Sequence, residues 1–341
     1  MKAAVFEGFG KPLVIQNVPE PVPGPGEMVI KVRHCGICGS DLHATEEGTA
    51  QGVPAGTVLG HEFCGEVVRL GAGAESCWKE GDRVVSMPFI GCGTCAMCLS
   101  GQGNWCKKVR GQGFGKIPGA YAEYVLVGAN ESIRLPESVS WKEGALVEPL
   151  AVGLHGWHLA NLAPGSDILV VGAGPVGLAV VVWARLLGAR HIVVTAKSSR
   201  RADLARSLGA TDFIESDQDL RAAYRRIVGA PPAAIFECVG APGMIDLCCR
   251  IAPVRSKVIV LGVCMKQDKF LPSVAVQKEL NMQFSMAYGT RDFEVAVDML
   301  ARGRIDPDAM VTDVVGFDAF PGAFEALRQR SHQCKVLLDP S

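Results

Sequence analysis

Apolar and polar positions alternate over short stretches throughout the first 150 residues, and glycine and proline separate these stretches. The alternating stretches include AAVFEG, MVIKVRHC, FCGEVVRLG, DRVVSMP and AEYVLV. Such alternation is typical of β-strands with one buried face, and frequent turn residues between short strands are typical of small barrels. The amino-terminal part is therefore predicted to form a compact, barrel-like β domain.

From about Ala151 the pattern changes to short apolar runs followed by helical periodicity. The pairs are DILVVG with PVGLAVVVWARLLG, HIVVTA with RRADLARSLG, and DFIES with DLRAAYRRIVG; AAIFECVG and KVIVLGV follow. Alternating strands and helices imply a parallel sheet that is covered on both faces. The helices and strands after about Ala287 either extend this sheet or return to the first domain.

Composition narrows the range of partners. The 341 residues contain 34 Lys plus Arg and 35 Asp plus Glu, so no broad basic field favours nucleic acid, and a small-molecule partner is expected. Thirteen cysteines with no signal sequence before them favour reduced thiols in the cytoplasm. The longest apolar run, Ile168 to Ala184, is interrupted by GAGPVG, so no membrane segment is expected.

The stretch GAGPVG follows a predicted strand and begins a predicted helix. Gly172, Gly174 and Gly177 have the spacing that permits a tight turn, close approach of a pyrophosphate, and close packing of helix on strand. Pro175 and Val176 lie at the start of the helix, where backbone N–H groups bind phosphate. The alternative, a glycine-rich turn without a ligand, is disfavoured by the surrounding βαβ pattern.

The residue that binds the adenosine ribose is expected at the end of the next strand, about 20 positions further on. Ala196 lies there, so no carboxylate accepts the ribose hydroxyls or repels a phosphate. Basic and hydroxyl side chains follow: Lys197, Ser198, Ser199, Arg200 and Arg201. Because such groups bind a 2′-phosphate, NADP(H) is predicted over NAD(H). The alternative is that Arg200 and Arg201 only solvate the first turn of a helix.

Four cysteines lie within 15 residues of glycine-containing sequence. They are Cys92, Cys95, Cys98 and Cys106. Four thiolates at such short spacings suit a closed tetrahedral zinc site, and neither disulfide pairing nor core packing explains them. The sequence therefore predicts a structural zinc site that stabilises a loop and leaves no position for substrate.

A second set of potential ligands and proton carriers is dispersed along the chain. Its members are Cys38, Ser40, Asp41, His43, His61, Glu62 and Glu148. A thiolate, an imidazole and a carboxylate form an open zinc site with a position for water or substrate. An isolated histidine such as His61 is more often a core or surface residue, and the spacing alone does not show that these side chains converge.

Several of these motifs together resemble the zinc-containing medium-chain dehydrogenase/reductase superfamily, specifically its alcohol, polyol and threonine dehydrogenase branch. The motifs are GHEFCGEVVRLG, CGICGSDLH, the four-cysteine loop, VEPLAVGLH and GAGPVG. The resemblance covers nearly the whole chain. It implies a Rossmann doubly wound cofactor domain over 151–287, a GroES-like β-barrel-type catalytic domain over 1–150 and 288–341, and a homodimer or homotetramer.

The resemblance implies that Cys38, His61 and a glutamate hold the catalytic zinc. Glu148 stands where the alcohol dehydrogenases proper have a cysteine, whereas Glu62 is the competing ligand in the polyol and threonine group. Both carboxylates remain candidates, one as ligand and the other holding water or exchanging with it. Together with the four-cysteine loop, this implies one catalytic and one structural zinc ion in each chain.

The same resemblance assigns roles in catalysis and cofactor binding. Ser40 hydrogen-bonds the alcohol oxygen and passes its proton through the nicotinamide ribose hydroxyl to His43, while Asp41 orients His61 or another ligand. A turn-capping serine and a surface histidine are the alternatives. The nicotinamide side is expected to be lined by Val239, Gly240, Gly262, Val263 and Ala287. Lys335 is expected to contact the pyrophosphate.

The substrate preference is predicted from the residue that follows His43. The polyol dehydrogenases that this chain resembles usually have an aromatic residue at that position. This chain has Ala44 there, which favours an apolar primary or secondary alcohol in a pocket bordered by Phe89 and Trp105. The predicted function is a zinc-dependent NADP(H) alcohol dehydrogenase or carbonyl reductase. The alternatives are an NAD-dependent polyol or threonine-type dehydrogenase, a zinc-free NADPH enone or quinone reductase, and a non-enzymatic cofactor- or zinc-binding protein.

Overall fold

The protein is described by a computed structural model over residues 1–49, 52–215, 219–329 and 333–341. These residues form two compact units. The first comprises Met1–Glu148, Tyr288–Gly303 and Val311–Ser341, and the second comprises Pro149–Ala287 and Arg304–Met310. Relative to the predicted boundaries, Pro149, Leu150 and the segment Arg304–Met310 lie in the second unit. The last two strands lie in the first unit, so the chain returns to the first domain instead of extending the parallel sheet.

The strands and helices are numbered here in chain order. The strands are β1 (Lys2–Phe6), β2 (Val14–Asn17), β3 (Glu27–Gly36), β4 (Thr57–Val58), β5 (Glu62–Leu70), β6 (Arg83–Ser86), β7 (Phe89–Ile90), β8 (Arg110–Gly111), β9 (Tyr124–Gly128), β10 (Ser132–Arg134), β11 (Ile168–Val171), β12 (Ile192–Ala196), β13 (Asp212–Glu215), β14 (Ala234–Glu237), β15 (Lys257–Val260), β16 (Asn281–Phe284), β17 (Val311–Val315) and β18 (Lys335–Leu338). The helices are α1 (Gly39–Ala44), α2 (Ala96–Leu99), α3 (Trp141–Ala160), α4 (Pro175–Leu186), α5 (Ala202–Ser207), α6 (Leu220–Val228), α7 (Met244–Ile251), α8 (Pro272–Gln277), α9 (Thr290–Ala301) and α10 (Phe320–Ala326).

In the first unit the long strand β3 pairs with β5, β9 and β18. The largest sheet has the order β10-β6-β5-β3-β18-β17, and β2-β1-β4 forms a smaller sheet. The antiparallel pairing of β18 with the end of β3 aligns Leu337 with Gly36 and Leu338 with Cys35. The carboxy-terminal strand therefore lies beside the turn that leads from β3 into α1.

The second unit contains a parallel sheet in the order β13-β12-β11-β14-β15-β16. Numbered within the unit this is 3-2-1-4-5-6, the order of doubly wound dinucleotide-binding folds. Strand β11, ILVV, is buried at every position, as expected of a parallel strand covered on both faces. Ligands of such sheets bind beyond the carboxyl ends of the strands, where the strand order reverses between β11 and β14.

Among the described residues, no helix has both the length and the apolar character that are needed to span a membrane.

Candidate active site and metal centres

The four-cysteine loop lies between β7 and β8, with α2 inside it. The Sγ atoms of Cys92, Cys95, Cys98 and Cys106 lie within 4.8 Å of one another. The Cys92–Cys98 and Cys95–Cys98 sulfur distances are 4.0 Å and 3.6 Å. Four sulfurs at about 2.3 Å from a tetrahedral zinc are separated by about 3.8 Å, so the donor set fits a closed zinc site.

Hydrogen-bond donors contact two of these sulfurs. Thr94 Oγ1 donates to Cys92 Sγ over 3.6 Å, and the Lys108 N–H donates to Cys106 Sγ over 3.3 Å. Hydrogen bonds from the backbone and side chain of Thr94 are the main causes that lower the pKa of the Cys92 thiol to about 5. At least one thiol of the loop is therefore held toward the thiolate form, which is the form that binds zinc.

A second group of ligand atoms comes from two turns of the first unit. Cys38 immediately precedes α1, and His61 and Glu62 lie at the start of β5. The sulfur, ring nitrogen and carboxylate oxygen of these residues lie within 4.8 Å of one another. The fold thus brings together the thiolate, imidazole and carboxylate that a catalytic zinc takes as ligands.

His61 is oriented by a buried carboxylate. Its Nδ1 donates to Asp41 Oδ1 over 3.1 Å, and Asp41 Oδ2 also accepts from Tyr121 OH over 2.6 Å and from the Cys38 N–H over 3.1 Å. Because Nδ1 carries this proton, Nε2 is left with its lone pair for a metal. Ser40 Oγ lies 3.4 Å from that Nε2 atom.

The charge of Asp41 is maintained despite complete burial. Burial alone would raise its pKa, but the His61 ring and the hydrogen bonds from His61, Tyr121 and Cys38 hold the pKa below its usual value. The His61 ring shows the opposite balance, since burial would lower its pKa and the charges of Asp41 and Cys38 raise it well above the usual value. The two side chains therefore support each other as an oriented pair.

Glu62 is neutralised by Lys335. The Lys335 ammonium, which is fully buried, donates to Glu62 Oε1 over 2.7 Å, contacts Oε2 as well, and donates to the Ile37 carbonyl over 3.0 Å. Burial would lower the pKa of Lys335, but the Glu62 charge raises it. The prediction that Lys335 contacts the pyrophosphate is wrong, because β18 buries its side chain against Glu62 within the first unit.

Glu148 lies outside the group of ligand atoms that converge within 4.8 Å. Its side chain is buried next to Tyr288, and burial raises the pKa of its carboxyl to about 7. The nearby Glu62 charge acts in the same direction, whereas the charges of His61 and Lys335 oppose it. The described geometry therefore favours Glu62 over Glu148 as the carboxylate closest to the ligand position.

His43 lies on α1, three residues after Ser40, with its side chain 41% exposed. Its Nδ1 lies 3.4 Å from Glu46 Oε1. The two residues assigned to proton transfer thus share one short helix; Ser40 lies near His61, and the His43 side chain is partly exposed.

The glycine-rich turn connects β11 to α4 in the second unit. Gly172 has a φ of +111°, which favours glycine, and a Cβ at Gly177 would lie 1.9 Å from the Gly172 carbonyl oxygen. Gly174 caps α4, and a Cβ built there would meet nothing within 4 Å. Pro175 occupies the first turn of α4. The turn therefore leaves free space in front of the helix N-terminus, where a pyrophosphate would bind.

The basic stretch begins where β12 ends at Ala196. Arg201 Nη1 donates to the Ala173 carbonyl over 3.0 Å, so its guanidinium lies against the glycine-rich turn. Arg200 Nε donates to Ser198 Oγ over 3.2 Å. Arg201 therefore lies beside the glycine-rich turn, whereas Arg200 is an exposed residue that contacts Ser198 of the basic stretch.

A carboxylate that the sequence pattern missed also lies here. Glu215 is paired with Ala196 in the parallel register of β12 and β13. Its Oε1 accepts a hydrogen bond from the Ser199 N–H over 3.1 Å. The end of β12 itself thus carries no acidic residue, but the neighbouring strand β13 brings the Glu215 carboxylate next to it.

The carboxyl ends of β14 and β15 carry the residues predicted for the nicotinamide side. Val239 and Val263 are 42% and 47% exposed, although valine is usually buried. Gly240 and Gly262 touch so closely that a Cβ at Gly262 would lie 2.2 Å from the Gly240 nitrogen. Glu237 accepts from the N–H groups of Val239 and Gly240 over 2.7 Å and 3.0 Å and so fixes this turn. Ala287, with a φ of +52°, ends the second unit's main segment.

Similarity to known proteins identifies the family of this chain. Residues 24–137 match the family model "Alcohol dehydrogenase GroES-like domain" and residues 175–302 match "Zinc-binding dehydrogenase". Sorbitol dehydrogenase of Bacillus subtilis is 32% identical over 100% of this chain and 98% of its own length. The chain belongs to the zinc-dependent medium-chain dehydrogenase/reductase family. It is therefore an oxidoreductase with a Rossmann cofactor domain and a GroES-like catalytic domain.

Two further relatives of this family cover almost the whole chain. L-threonine 3-dehydrogenase of Rhizobium johnstonii is 30% identical over 99% of this chain and 98% of its own length. A zinc-binding dehydrogenase structure from Sinorhizobium meliloti 1021, bound to NADP, has a TM-score of 0.87 and 31% identity over 99% of both chains. Polyol and threonine dehydrogenases are thus among the similar proteins, as the resemblance implied.

The three residues on which the substrate prediction rests all lie in the first unit. Phe89 is buried in β7 and packs against Gly103 of the four-cysteine loop, and Trp105 is an exposed residue of the same loop. Ala44 is fully buried in the core of the first unit. Ala44 and Phe89 are thus packed side chains and Trp105 is 56% exposed; that Phe89 and Trp105 border the substrate pocket stays a prediction.

Phe114 is the aromatic residue that the structure brings to the metal ligands. Its ring centroid lies 5.2 Å from that of His61, and its side chain is 37% exposed. No motif or periodicity in the sequence indicates this contact, because Phe114 lies in a glycine-rich segment far from His61. A partly exposed aromatic ring beside a metal-binding histidine is suited to contact the apolar part of a substrate.

Proposed function

We propose that this chain is a zinc-dependent alcohol dehydrogenase or carbonyl reductase that uses NADP(H) and acts on an apolar primary or secondary alcohol. The observation that carries the proposal is the convergence of Cys38, His61 and Glu62 next to Ser40. Their donor set fits a catalytic zinc, and the four-cysteine loop fits a structural one. Metal analysis is expected to find about two zinc ions per chain; a zinc-free reductase of the family would contain none.

The chain's own residues prepare the reaction. Bound zinc supplies a Lewis acid, and bound NADP(H) supplies the hydride acceptor or donor. Asp41 holds the proton on His61 Nδ1 and thereby leaves Nε2 available as a ligand. Ser40 Oγ, close to Nε2, takes the proton of the substrate hydroxyl and gives up its own, which would pass through the ribose hydroxyl of a bound cofactor to His43; the partly exposed His43 ring then releases a proton to solvent. Phe114 excludes water from one side of the site.

The NADP(H) preference is proposed from the stretch after β12. Arg201 contacts the glycine-rich turn and Arg200 follows the end of β12, where charge-assisted hydrogen bonds to a 2′-phosphate are favourable. We expect NADPH to bind more tightly than NADH, and Arg200→Ala or Arg201→Ala to weaken NADPH binding by roughly 10- to 100-fold while NADH changes little.

The matched control for these variants is Arg206→Ala, since Arg206 is an exposed arginine of α5 that pairs with Asp203. Kd values for NADPH and NADH, measured side by side by fluorescence titration, decide the assignment. Equal affinity for the two cofactors, unaffected by either arginine substitution, would refute the NADP(H) proposal.

A second candidate function is an NAD-dependent polyol or threonine-type dehydrogenase. The named relatives favour it, and so does the Glu215 carboxylate at the end of β13, because a negative charge near Ser199 opposes a 2′-phosphate. Glu215→Gln separates the two candidates. If the chain is an NAD enzyme, the substitution weakens NADH binding; if it is an NADP enzyme, the substitution strengthens NADPH binding. A panel of aliphatic alcohols, polyols and threonine identifies the substrate class.

We also propose a homodimer or homotetramer. Strand β16 is the edge of the parallel sheet, and Phe284 and Met286 at its end are 58% and 59% exposed. An unpaired edge with exposed apolar residues is a typical surface for association with a second copy. Light scattering of the purified chain tests this proposal, and a monomer at micromolar concentration would contradict it.

A further inference from the structure

The end of helix α1 is held by an arginine that follows α10, near the carboxy terminus. Arg328 Nη1 donates to the Leu42 carbonyl over 3.0 Å, and Nη2 donates to Thr45 Oγ1 over 2.6 Å. Nη1 also lies 3.7 Å from Glu46 Oε1, and Nε donates to Glu325 Oε2 over 2.8 Å. All polar edges of this guanidinium thus contact either α1 and its following turn or α10.

Helix α1 needs such support because it contains only six residues. A helix of this length leaves most of its last carbonyl groups without partners inside the helix and is unstable by itself. An arginine at the carboxyl end both donates to these carbonyls and complements the helix dipole. Arg328 therefore helps to hold the last turn of α1, together with the Thr45 N–H and hydroxyl, which also donate to the Leu42 carbonyl.

His43 is in this last turn. It lies between Leu42 and Thr45, the two residues that Arg328 contacts, and its Nδ1 is 3.4 Å from the same Glu46 carboxylate oxygen that faces Arg328. The Glu46 carboxylate is consequently shared by the guanidinium and the imidazole. A shift of Arg328 would move both the backbone and the carboxylate that define the position of the His43 ring.

Helix α10 also supports the other end of α1. The Phe320 and Phe324 rings lie 4.8 Å and 6.3 Å from the Tyr121 ring, and the Tyr121 hydroxyl donates to Asp41. The Arg328 guanidinium itself lies 5.4 Å from the Phe324 ring centroid. The carboxy-terminal segment of α10 and Arg328 thus contacts both Tyr121, which donates to the Asp41 carboxylate, and the turn that carries His43.

We propose that Arg328 is a positioning residue for proton transfer: it fixes the carboxyl-terminal turn of α1, and with Glu46 it holds the His43 ring where protons from Ser40 reach solvent. This inference rests on the proposed function, since proton transfer through Ser40 and His43 is part of it. In this step Ser40 Oγ takes up the proton of the substrate hydroxyl while it gives up its own hydroxyl proton, and His43 takes up a proton at its unprotonated ring nitrogen and releases it to solvent. The ribose hydroxyl of a bound cofactor would bridge the two residues.

The main test replaces Arg328 in the zinc-loaded full-length chain. In Arg328→Met, kcat for alcohol oxidation is expected to fall roughly threefold to tenfold, the KM for the cofactor to stay unchanged, and the rate to rise with the concentration of a non-coordinating tertiary-amine buffer. Buffer dependence is the informative readout, because a purely structural defect does not respond to an external base. Arg328→Lys keeps the charge and is expected to restore part of kcat.

The role of the Glu46 carboxylate is tested by substitution, and the neighbouring Glu47 provides the matched control. Glu46→Gln is expected to reduce kcat about twofold to fivefold and to introduce the same buffer dependence. Glu47→Gln makes the same charge change at an exposed position and is expected to behave as the unmodified chain. Equal effects of the two substitutions would overturn the role of Glu46.

A measurement without turnover tests the structural premise. Hydrogen–deuterium exchange of the segment 42–47 is expected to be faster in Arg328→Met than in the unmodified chain, while the melting temperature and zinc content confirm that the variant is folded and loaded. Unchanged exchange together with a buffer-independent rate overturns the inference.

His43→Gln separates this inference from the proposed function. If His43→Gln is slow and buffer-dependent but Arg328→Met is not, the role of Arg328 is wrong and the proposed proton transfer stands. If His43→Gln is as fast as the unmodified chain, proton transfer through His43 is wrong, and the positioning role fails with it.

Discussion

The four-cysteine loop takes all its candidate zinc ligands from residues 92–106, whereas the second candidate centre takes Cys38, His61 and Glu62 from two separate turns. The surroundings differ in the same way. Weak donors such as Thr94 Oγ1 and the Lys108 N–H face the cysteine sulfurs. The second centre, by contrast, is enclosed by buried charged and polar side chains contributed from distant parts of the first unit: Asp41, Tyr121, Lys335 and Glu148.

This difference follows from what each centre has to do. A closed site of four thiolates needs only the right spacing in a loop, because the metal itself organises the chain. An open site must keep one position available, so the protein has to orient each ligand and compensate each buried charge. Disrupting the first centre should therefore affect stability most, and disrupting the second should affect activity most.

The largest effect is expected for Cys38→Ala. Loss of this ligand should lower kcat/KM on the order of 10³-fold, because a Lewis acid contributes several kcal/mol to the reaction. Zinc content should fall by about one ion per chain, and the melting temperature should change by no more than about 2 °C. Cys77→Ala, at an exposed cysteine, is the control. Retained activity with one zinc lost would show that the open site is not catalytic.

The converse result is expected for Cys98→Ala in the loop. Zinc content should again fall by about one ion, but the melting temperature should drop by about 5 to 10 °C, which corresponds to about 2.5 kcal/mol for a domain of this size. The kcat at low temperature should stay within about threefold of the unmodified chain. Differential scanning calorimetry and zinc analysis measure both quantities; an intact melting temperature would contradict a stabilising role for the loop.

The same contrast explains what could be predicted from the sequence. The cysteine loop and the glycine-rich turn are local, so the spacing of Cys92 to Cys106 and of Gly172 to Gly177 indicates both sites without knowledge of the fold. The alternation of strands and helices likewise predicts the parallel sheet, whose doubly wound order confirms the predicted fold class.

Interactions that depend on strand pairing could not be predicted in this way. Lys335 reaches Glu62 because β18 pairs with β3, and no pattern in either segment specifies that pairing. Glu215 reaches Ser199 because β13 lies beside β12. The choice between Glu62 and Glu148 likewise depends on how α3 and β5 pack, since both carboxylates have a neighbouring sequence that suits a ligand.

Tyr121→Phe is expected to have a smaller effect than the loss of a ligand in Cys38→Ala or Cys98→Ala. The substitution removes one hydrogen-bond donor from the Asp41 carboxylate and leaves the aromatic ring in place. The Tyr121 hydroxyl donates to Asp41 over 2.6 Å, and outer contacts of metal ligands typically contribute 10- to 100-fold, so a loss of about tenfold in kcat and in zinc affinity of the open site is expected. Steady-state kinetics and competition with a chelator measure the two quantities. Tyr124→Phe, in β9, is the control, and equal effects of both substitutions would contradict the role of the Tyr121 hydroxyl.

The smallest effect is expected for the corresponding change in the four-cysteine loop. Thr94→Val removes the hydroxyl that donates to Cys92 over 3.6 Å, but it keeps the volume of the side chain and the backbone N–H groups that face the sulfur. A bond from a neutral hydroxyl to sulfur at this distance is weak, so the melting temperature should fall by no more than about 1 °C and zinc release to a chelator should accelerate less than about threefold. If Thr94→Val instead released the structural zinc as readily as Tyr121→Phe releases the catalytic one, both centres would depend on their surroundings to the same degree, and the distinction between a locally organised and an assembled site would fail.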